Sequence, residues 1–573
     1  MRTFVRARET GLVVLAAIAG ALAGLVVAAM SSAVDLLHSL FFDLPLGQRL
    51  SALPLLDPML AVVVPTLGGL VLAIAYHFIA RWRPAREVDP IEANALHGGR
   101  MSLLGSLIVA LETVWSSGVG ASVGMEAGYT QLSSGIGSRI GRAFRLRRAD
   151  LRMLVGCGAA GGIAGAFGAP LAGAFYGFEL VIGNYSVANL APVGIAALLG
   201  YYVAGSLAPV KLGIVAPQIT TITNQDLLFA ALLGLAMALF GIVVMVGVNF
   251  FETVLERIRL PALLRPCLGG AIVGGLATVT PQVMSSGHGA LHLTGMLDLP
   301  LTAIATLLGL KALASIVSLG SGFRGGLFFA SLLMGALGGQ LFATAMNSID
   351  PRIYVDTNAY AIVGMGALSA SVIGGPLTMI FVALESTGNL WLTAAVLIAV
   401  IISAQVTREL FGYSFTTWRF HLRGETIRSA ADIGWLRDLT VGRMMREDVR
   451  TVLTEMTVAA FREAFPPGST GQVVAIDGED RYAGLVMVAE AHAAELAEDA
   501  FVFQILRHQD DLLLPSMTVQ EAVTAFDTTE SEVLAVVDAP SSRRVLGTLS
   551  EAHALRRYLA ELEMRRREYI GAG

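Results

Sequence analysis

Charge is scarce in this chain of 573 residues: 14% of them are Asp, Glu, Lys or Arg, against roughly 25% in an ordinary soluble protein. With 55% hydrophobic residues beside it, that shortage excludes a conventional water-soluble globule and makes a polytopic membrane protein the expectation. Cysteine is scarcer still. Cys157 and Cys267 both sit in apolar, Gly/Ala-rich or Pro-flanked sequence, and neither implies a disulfide or a metal. The net charge of −5 is no guide to partners, because charge is sparse up to about Gly412 and dense from Trp418 onward. No nucleic-acid partner is expected.

Gly11 to Met30 is an uncharged run of twenty residues, about one membrane crossing. Arg2, Arg6 and Arg8 precede it, which predicts a cytoplasmic N-terminus. A signal peptide fits less well, since the run is long for one and many further spans follow. Apolar blocks continue through Pro58–Ile79, Met101–Trp115, Met153–Ile182, Leu190–Leu207, Leu227–Phe250, Leu301–Leu319, Ala359–Leu384 and Leu390–Val406. Many are short or cut by Gly and Pro, which suits tilted and re-entrant helices better than simple crossings. The 63 glycines let such helices pack closely.

Two stretches are imperfect copies of each other. One runs from Gly156-Cys157-Gly158-Ala159 through Pro170-Leu171 to Glu179, the other from Gly364-Met365-Gly366-Ala367 through Pro376-Leu377 to Glu385. Pro and Glu are nine residues apart in both. A glycine-rich break precedes each copy, Gly118 to Gly128 and Gly320 to Gly326. A duplicated membrane unit with interrupted helices is the pattern of a transporter or channel whose site lies where the repeats meet.

The tail carries a second repeat. Met456-Thr457-Val458 and Met517-Thr518-Val519 each open a helical pattern, ending near Phe465 and Phe526. Alternating strands follow at Gln472–Ile476 and Glu532–Val537, then a turn, then a second strand from Gly484 or Gly547 leading into a helix. The offset is about sixty residues throughout, so two α/β units form a paired soluble module.

In combination these elements resemble the CLC family of chloride channels and proton-coupled chloride antiporters. The carriers are the glycine-rich loop with one Glu, Gly168-Ala169-Pro170-Leu171-Ala172-Gly173, Gly326-Leu327-Phe328-Phe329-Ala330, and Gly364-Met365-Gly366-Ala367-Leu368 followed by Pro376-Leu377-Thr378 and Glu385. The tail resembles the tandem CBS domains that many of that family carry. The resemblance implies an all-α polytopic membrane protein with inverted-repeat broken helices over residues 1–422, a linker at 423–440, and a cytoplasmic α/β tandem CBS module at 441–573. It also implies a homodimer with one pore per subunit in a lipid bilayer, moving chloride or a similar small anion, and no enzymatic activity.

Gly124-Met125-Glu126-Ala127-Gly128 is similar to the family's Gly-Arg-Glu-Gly-Pro signature. A carboxylate deep in a membrane protein costs at least about 2.5–3.5 kcal/mol, so it needs a partner or a task. Capping a helix or pairing with an Arg is the bland role. The resemblance makes Glu126 a gate that competes with the anion and is displaced by protonation. Met125 stands where the family has Arg, which removes a charge that draws anions in. By the same resemblance the backbone amides of Met125 and Glu126 face those of Leu327 and Phe328 across the anion. Helix starts suit this because their unpaired N–H groups carry a partial positive charge. Tyr413 resembles the family's pore tyrosine, with Thr416 as the alternative match.

Two family features are missing. The segment that supplies a chloride-contacting Ser is replaced by Arg86-Glu87-Val88-Asp89-Pro90, whose acids are hostile to anions unless Arg83 and Arg86 offset them. The second Glu, which feeds protons inward in many antiporters, is Leu180 here. That favours channel-like or weakly proton-coupled conduction, with proton/chloride antiport as the alternative. Glu179 and Glu385 are expected to bond backbone amides or bridge the repeats. In the tail the resemblance allows an adenine nucleotide, with Glu490 and Ser550 at the matching positions. No other cofactor is expected. A CBS-bearing divalent-cation transporter is a competing class, but a cation path calls for converging carboxylates or exposed carbonyls. His288, in a Gly/Ser loop, is the one residue suggestive of intramembrane enzymology. It reads as a loop residue without a catalytic partner.

Overall fold

The computed structural model describes residues 9–83, 86–208, 223–294, 299–349, 355–423, 439–493, 497 and 499–570. The chain divides into two compact units, Met1–Asp432 and Ile433–Gly573. The linker expected at 423–440 lies almost entirely outside the described residues.

The first unit is helical. In chain order its helices are α1 (Glu9–Phe42), α2 (Pro58–Trp82), α3 (Pro90–Leu96), α4 (Leu103–Gly118), α5 (Glu126–Ala143), α6 (Arg148–Phe167), α7 (Pro170–Tyr176), α8 (Val187–Leu207) and α9 (Asn224–Arg257). They continue as α10 (Arg265–Ala277), α11 (His288–Thr294), α12 (Leu301–Gly320), α13 (Phe328–Ile349), α14 (Thr357–Ile373), α15 (Pro376–Thr387), α16 (Leu390–Leu410) and α17 (Phe415–Leu422). Among the described residues, seven helices are long and apolar enough to cross a membrane. Helix α1, with 34 residues, extends to about 50 Å. That exceeds a hydrocarbon core of about 30 Å, so the helix must tilt or protrude.

Two apolar blocks that read as continuous in the sequence are broken in the structure. Gly168 closes α6 with φ of 65° and Gly374 closes α14 with φ of 83°, the left-handed cap that glycine adopts without strain. Pro170 and Pro376 then open α7 and α15, where a missing N–H costs nothing. Helix α7 runs on as a π turn, Gly177–Ile182.

The repeat is therefore structural. Helices α4 to α7 and α12 to α15 follow the same order, and the breaks after α4 and α12 meet as an antiparallel bridge between Gly124 and Gly326. Its two backbone bonds are 2.9 and 3.0 Å. Further bonds cross in both directions. Ser318 Oγ on α12 accepts from Ser122 N at 2.9 Å, and Ser116 Oγ on α4 accepts from Arg324 N at 3.0 Å. Buried polar backbone needs such partners away from water.

The second unit holds two small sheets of matching topology. Strands β1 (Thr451–Leu453), β2 (Gln472–Ile476) and β3 (Tyr482–Met487) form one; β4 (Leu512–Leu513), β5 (Val533–Val537) and β6 (Val545–Ser550) form the other. In each, the first pair is parallel and the second antiparallel. The antiparallel pairs carry register irregularities at corresponding places, Ala475/Ile476 and Val536/Val537. Helices α18 (Val458–Ala464) and α19 (Val519–Thr529) are capped by Thr457 and Thr518. Helix α20 (Glu551–Ile570) follows β6. The helix and the two strands expected in each half of the tail are present, and each sheet adds a short leading strand, β1 or β4, that the sequence reading did not include.

Candidate functional site

Glu126 is the first residue of α5 and is 4% exposed. Its Oε1 accepts from the backbone N–H of Phe329 at 2.8 Å, inside the first turn of α13. The start of one broken helix thus holds the acid that begins the other. The Gly124–Gly326 bridge fixes the register that makes this contact. Glu126 Oε2 is buried and has no hydrogen-bond partner.

A cavity of about 190 Å³ adjoins this point. Buried Glu126, Thr130, Leu327 and Phe328 line its deep side, and exposed Arg86 and Arg423 its open side. Arg324, Arg419, Glu87, Asp89, Gln131 and Tyr176 complete the polar wall. Four guanidinium groups meet three carboxylates there. Glu87 pairs with Arg83 at 3.5 Å, and Arg86 pairs with Glu92 at 2.6 Å. Asp89 caps α3, its Oδ1 accepting from Ile91 N at 2.8 Å.

The residues anticipated from sequence fall into place unevenly. Leu327 and Phe328 line the cavity, but the amide that receives Glu126 belongs to Phe329, one step beyond the anticipated pair. Met125 is the N-cap of α5, and its sulfur accepts from the Tyr129 hydroxyl at 3.6 Å. Tyr413 is not in the cavity wall. A capping box between Ser414 and Thr417 starts α17 beyond it, and its hydroxyl meets His421 Nδ1 at 3.0 Å. Phe415 and Thr416 form the wall instead, and the phenol that faces the cavity is Tyr176 from α7. In the tail, Glu490 is held by Arg507 through contacts of 3.2 and 3.3 Å, while Ser550 Oγ accepts from His553 N at 3.4 Å.

Sequence reasoning missed Lys311. This side chain is 0% exposed in the middle of α12. Its Nζ donates to the carbonyls of Val283 and Ser285 at 3.0 and 2.9 Å, close enough to Glu126 to interact electrostatically. The signal was available: one Lys inside an otherwise uncharged helix. His288, expected in a loop, opens α11, stacks on Phe329 and bonds Ser286 Oγ at 2.6 Å.

The family model for voltage gated chloride channels matches residues 68–408. The chain belongs to that family. A ClcB-like protein of Ralstonia nicotianae is 33% identical over 333 residues, covering 57% of this chain and 77% of that one. The crystal structure of a slow cyanobacterial Cl⁻/H⁺ antiporter superposes with a TM-score of 0.63 at 22% identity, covering 72% of this chain and 97% of the other. A eukaryotic CLC transporter structure covers 95% of this chain and 97% of its own, with a TM-score of 0.60 at 18% identity. At those identities the likeness establishes the CLC fold. CLC membership makes the chain an integral multi-pass protein of an anion-transport family and not an enzyme.

Proposed function

We propose that the chain carries chloride or a similar small anion by channel-like, weakly proton-coupled conduction, with Glu126 as plug and proton acceptor. The observation that carries this is the 2.8 Å bond from Phe329 N–H to the Glu126 carboxylate. A helix-start amide that receives a carboxylate can receive a halide, so acid and anion compete for one place. Protonation discharges the acid and frees the amide. Leu327, Phe328 and the backbone of Met125 complete the anion site, and Tyr176, not Tyr413, supplies the phenol. The Arg324 guanidinium offsets the charge lost at Met125. Leu180 supplies no proton, which accounts for weak coupling; tight proton/chloride antiport is the alternative.

The working unit is a homodimer in a lipid bilayer, with the N-terminus and the CBS-like tail in the cytoplasm. An adenine nucleotide binding near Glu490 and Ser550 must first release Glu490 from Arg507. The test is flux from proteoliposomes under chloride and magnesium gradients at several pH values. Chloride release whose pH dependence vanishes in Glu126→Gln supports the proposal. Magnesium release without chloride release, or unchanged pH dependence in the variant, refutes it.

A further inference from the structure

We propose that Asp89 is the inner proton donor to Glu126, so that anion and proton share one vestibule. This rests on the Glu126 reading above. Both carboxylates line the same cavity. Glu126 presents Oε2, buried and unpartnered, as the atom on which a proton can land. Asp89 spends Oδ1 on the Ile91 amide and lines the cavity with its carboxylate.

The wall between them carries proton-conducting groups. Thr130 and Tyr176 both line the cavity, and Tyr176 interacts electrostatically with Asp89 and with Glu126. The Thr130 hydroxyl donates to the backbone carbonyl of Glu126 at 2.9 Å.

Other acids serve less well. Glu87 is tied to Arg83 and lies against Gly105 of α4. The way past Leu180 is closed by an apolar cluster in which it packs with Ile91, Val155, Ala159 and Phe420. Glu92 and the guanidinium groups of Arg324 and Arg423 act on Asp89; Arg86, Arg419 and Glu87 share its cavity, and Lys311 acts on Glu126.

The transfer is a simple exchange. A proton from water binds the Asp89 carboxylate. It leaves through the Thr130 and Tyr176 hydroxyls, or water beside them, to Glu126 Oε2, and Asp89 regains its negative charge. An anion among the arginines favours protonated Asp89, and protonated Asp89 no longer repels the anion. Uptake of the two is linked, yet neither has a private route, so coupling is loose.

Asp89→Asn separates this role from helix capping, because Asn caps a helix as well as Asp does. Asp89→Ser, also a capping residue, is the second variant should the first fail to fold. Reversal potential is measured in planar bilayers under combined chloride and pH gradients. The wild type is expected to depart from the chloride equilibrium potential when the pH gradient is imposed. Asp89→Asn should stay at that potential while chloride current rises several-fold, and Asp89→Glu should restore the departure. A pH-driven shift in Asp89→Asn equal to wild type overturns the inference, as does a wild type with no shift. Glu126→Gln is run alongside: if its current keeps the wild-type pH dependence, the plug reading itself falls, whatever Asp89→Asn does.

Discussion

Glu179 and Glu385 each close the helix that the other's repeat begins. The Glu179 carboxylate accepts from Leu377 N and Thr378 N, both at 2.8 Å, and from Thr378 Oγ1 at 2.7 Å. The Glu385 carboxylate accepts from Leu171 N at 2.8 Å and Ala172 N at 2.9 Å. Each Pro-started helix therefore has its first free amides satisfied by an acid from the opposite copy, with the favourable sign for a helix N-terminus. The equal Pro-to-Glu spacing in the sequence is the trace of this exchange.

Glu179→Ala is expected to destabilise the first unit by about 3 kcal/mol and Glu385→Ala by about 2 kcal/mol, from the charge-assisted bonds lost. The extra Thr378 hydroxyl sets the order. Thermal unfolding in detergent should show the larger drop for Glu179. Equal drops would remove the significance of that third bond.

Arg324 lines the cavity and pairs only loosely with Glu112, at 3.7 Å. Arg324→Gln should lower chloride flux several-fold at low ionic strength and by less at high salt, because screening weakens steering. Flux measured across a salt series with osmolarity held constant checks this. A salt-independent loss would point to misfolding instead.

Tyr176 and Tyr413 give opposite expectations. Tyr176→Phe should change anion selectivity, since its phenol is in the cavity wall. Tyr413→Phe should leave selectivity intact, its hydroxyl being engaged with His421. Chloride-to-bromide permeability ratios for the two variants decide the matter.

His553 makes the tail acid-sensitive. Burial, with Arg446, Arg557 and Arg556 nearby, pushes its imidazole below the ordinary value of 6.5. The unfolded chain then binds the proton more readily, so stability falls as pH drops below about 6.5. Faster amide exchange in β6 at pH 5.5 than at pH 7.5, beyond the intrinsic pH effect, is the expected sign. His553→Asn should remove it.

What the sequence made legible was periodic or motif-bound: the duplicated Pro–Glu units, the acid in the glycine-rich break, the two α/β units of the tail. What it hid depends on three-dimensional register. Whether Phe328 or Phe329 offers its amide turns on where α13 begins, and the cross-repeat bridge sets that, not local propensity. Arg324, Arg419 and Arg423 come from two segments, and only folding brings them into one cavity with Asp89. Lys311 escaped notice because a helix dominated by Leu and Ala reads as a plain span. Tyr413 and its alternative Thr416 are too close in sequence for a short match to separate them; the capping box at Ser414 starts α17 so that Thr416, with Phe415, lines the cavity.

The Gly124–Gly326 bridge constrains how conduction can switch. With the two loops laced by paired backbone bonds and reciprocal serine contacts, the helix starts cannot drift apart without breaking several of them. On the proposed plug role of Glu126, opening is left to one side chain swinging inside a stationary frame, at the expense of a single bond worth about 1.5–3 kcal/mol. Such a latch answers to chemistry rather than to stretch: bilayer thickness and lateral tension should leave the unitary event untouched.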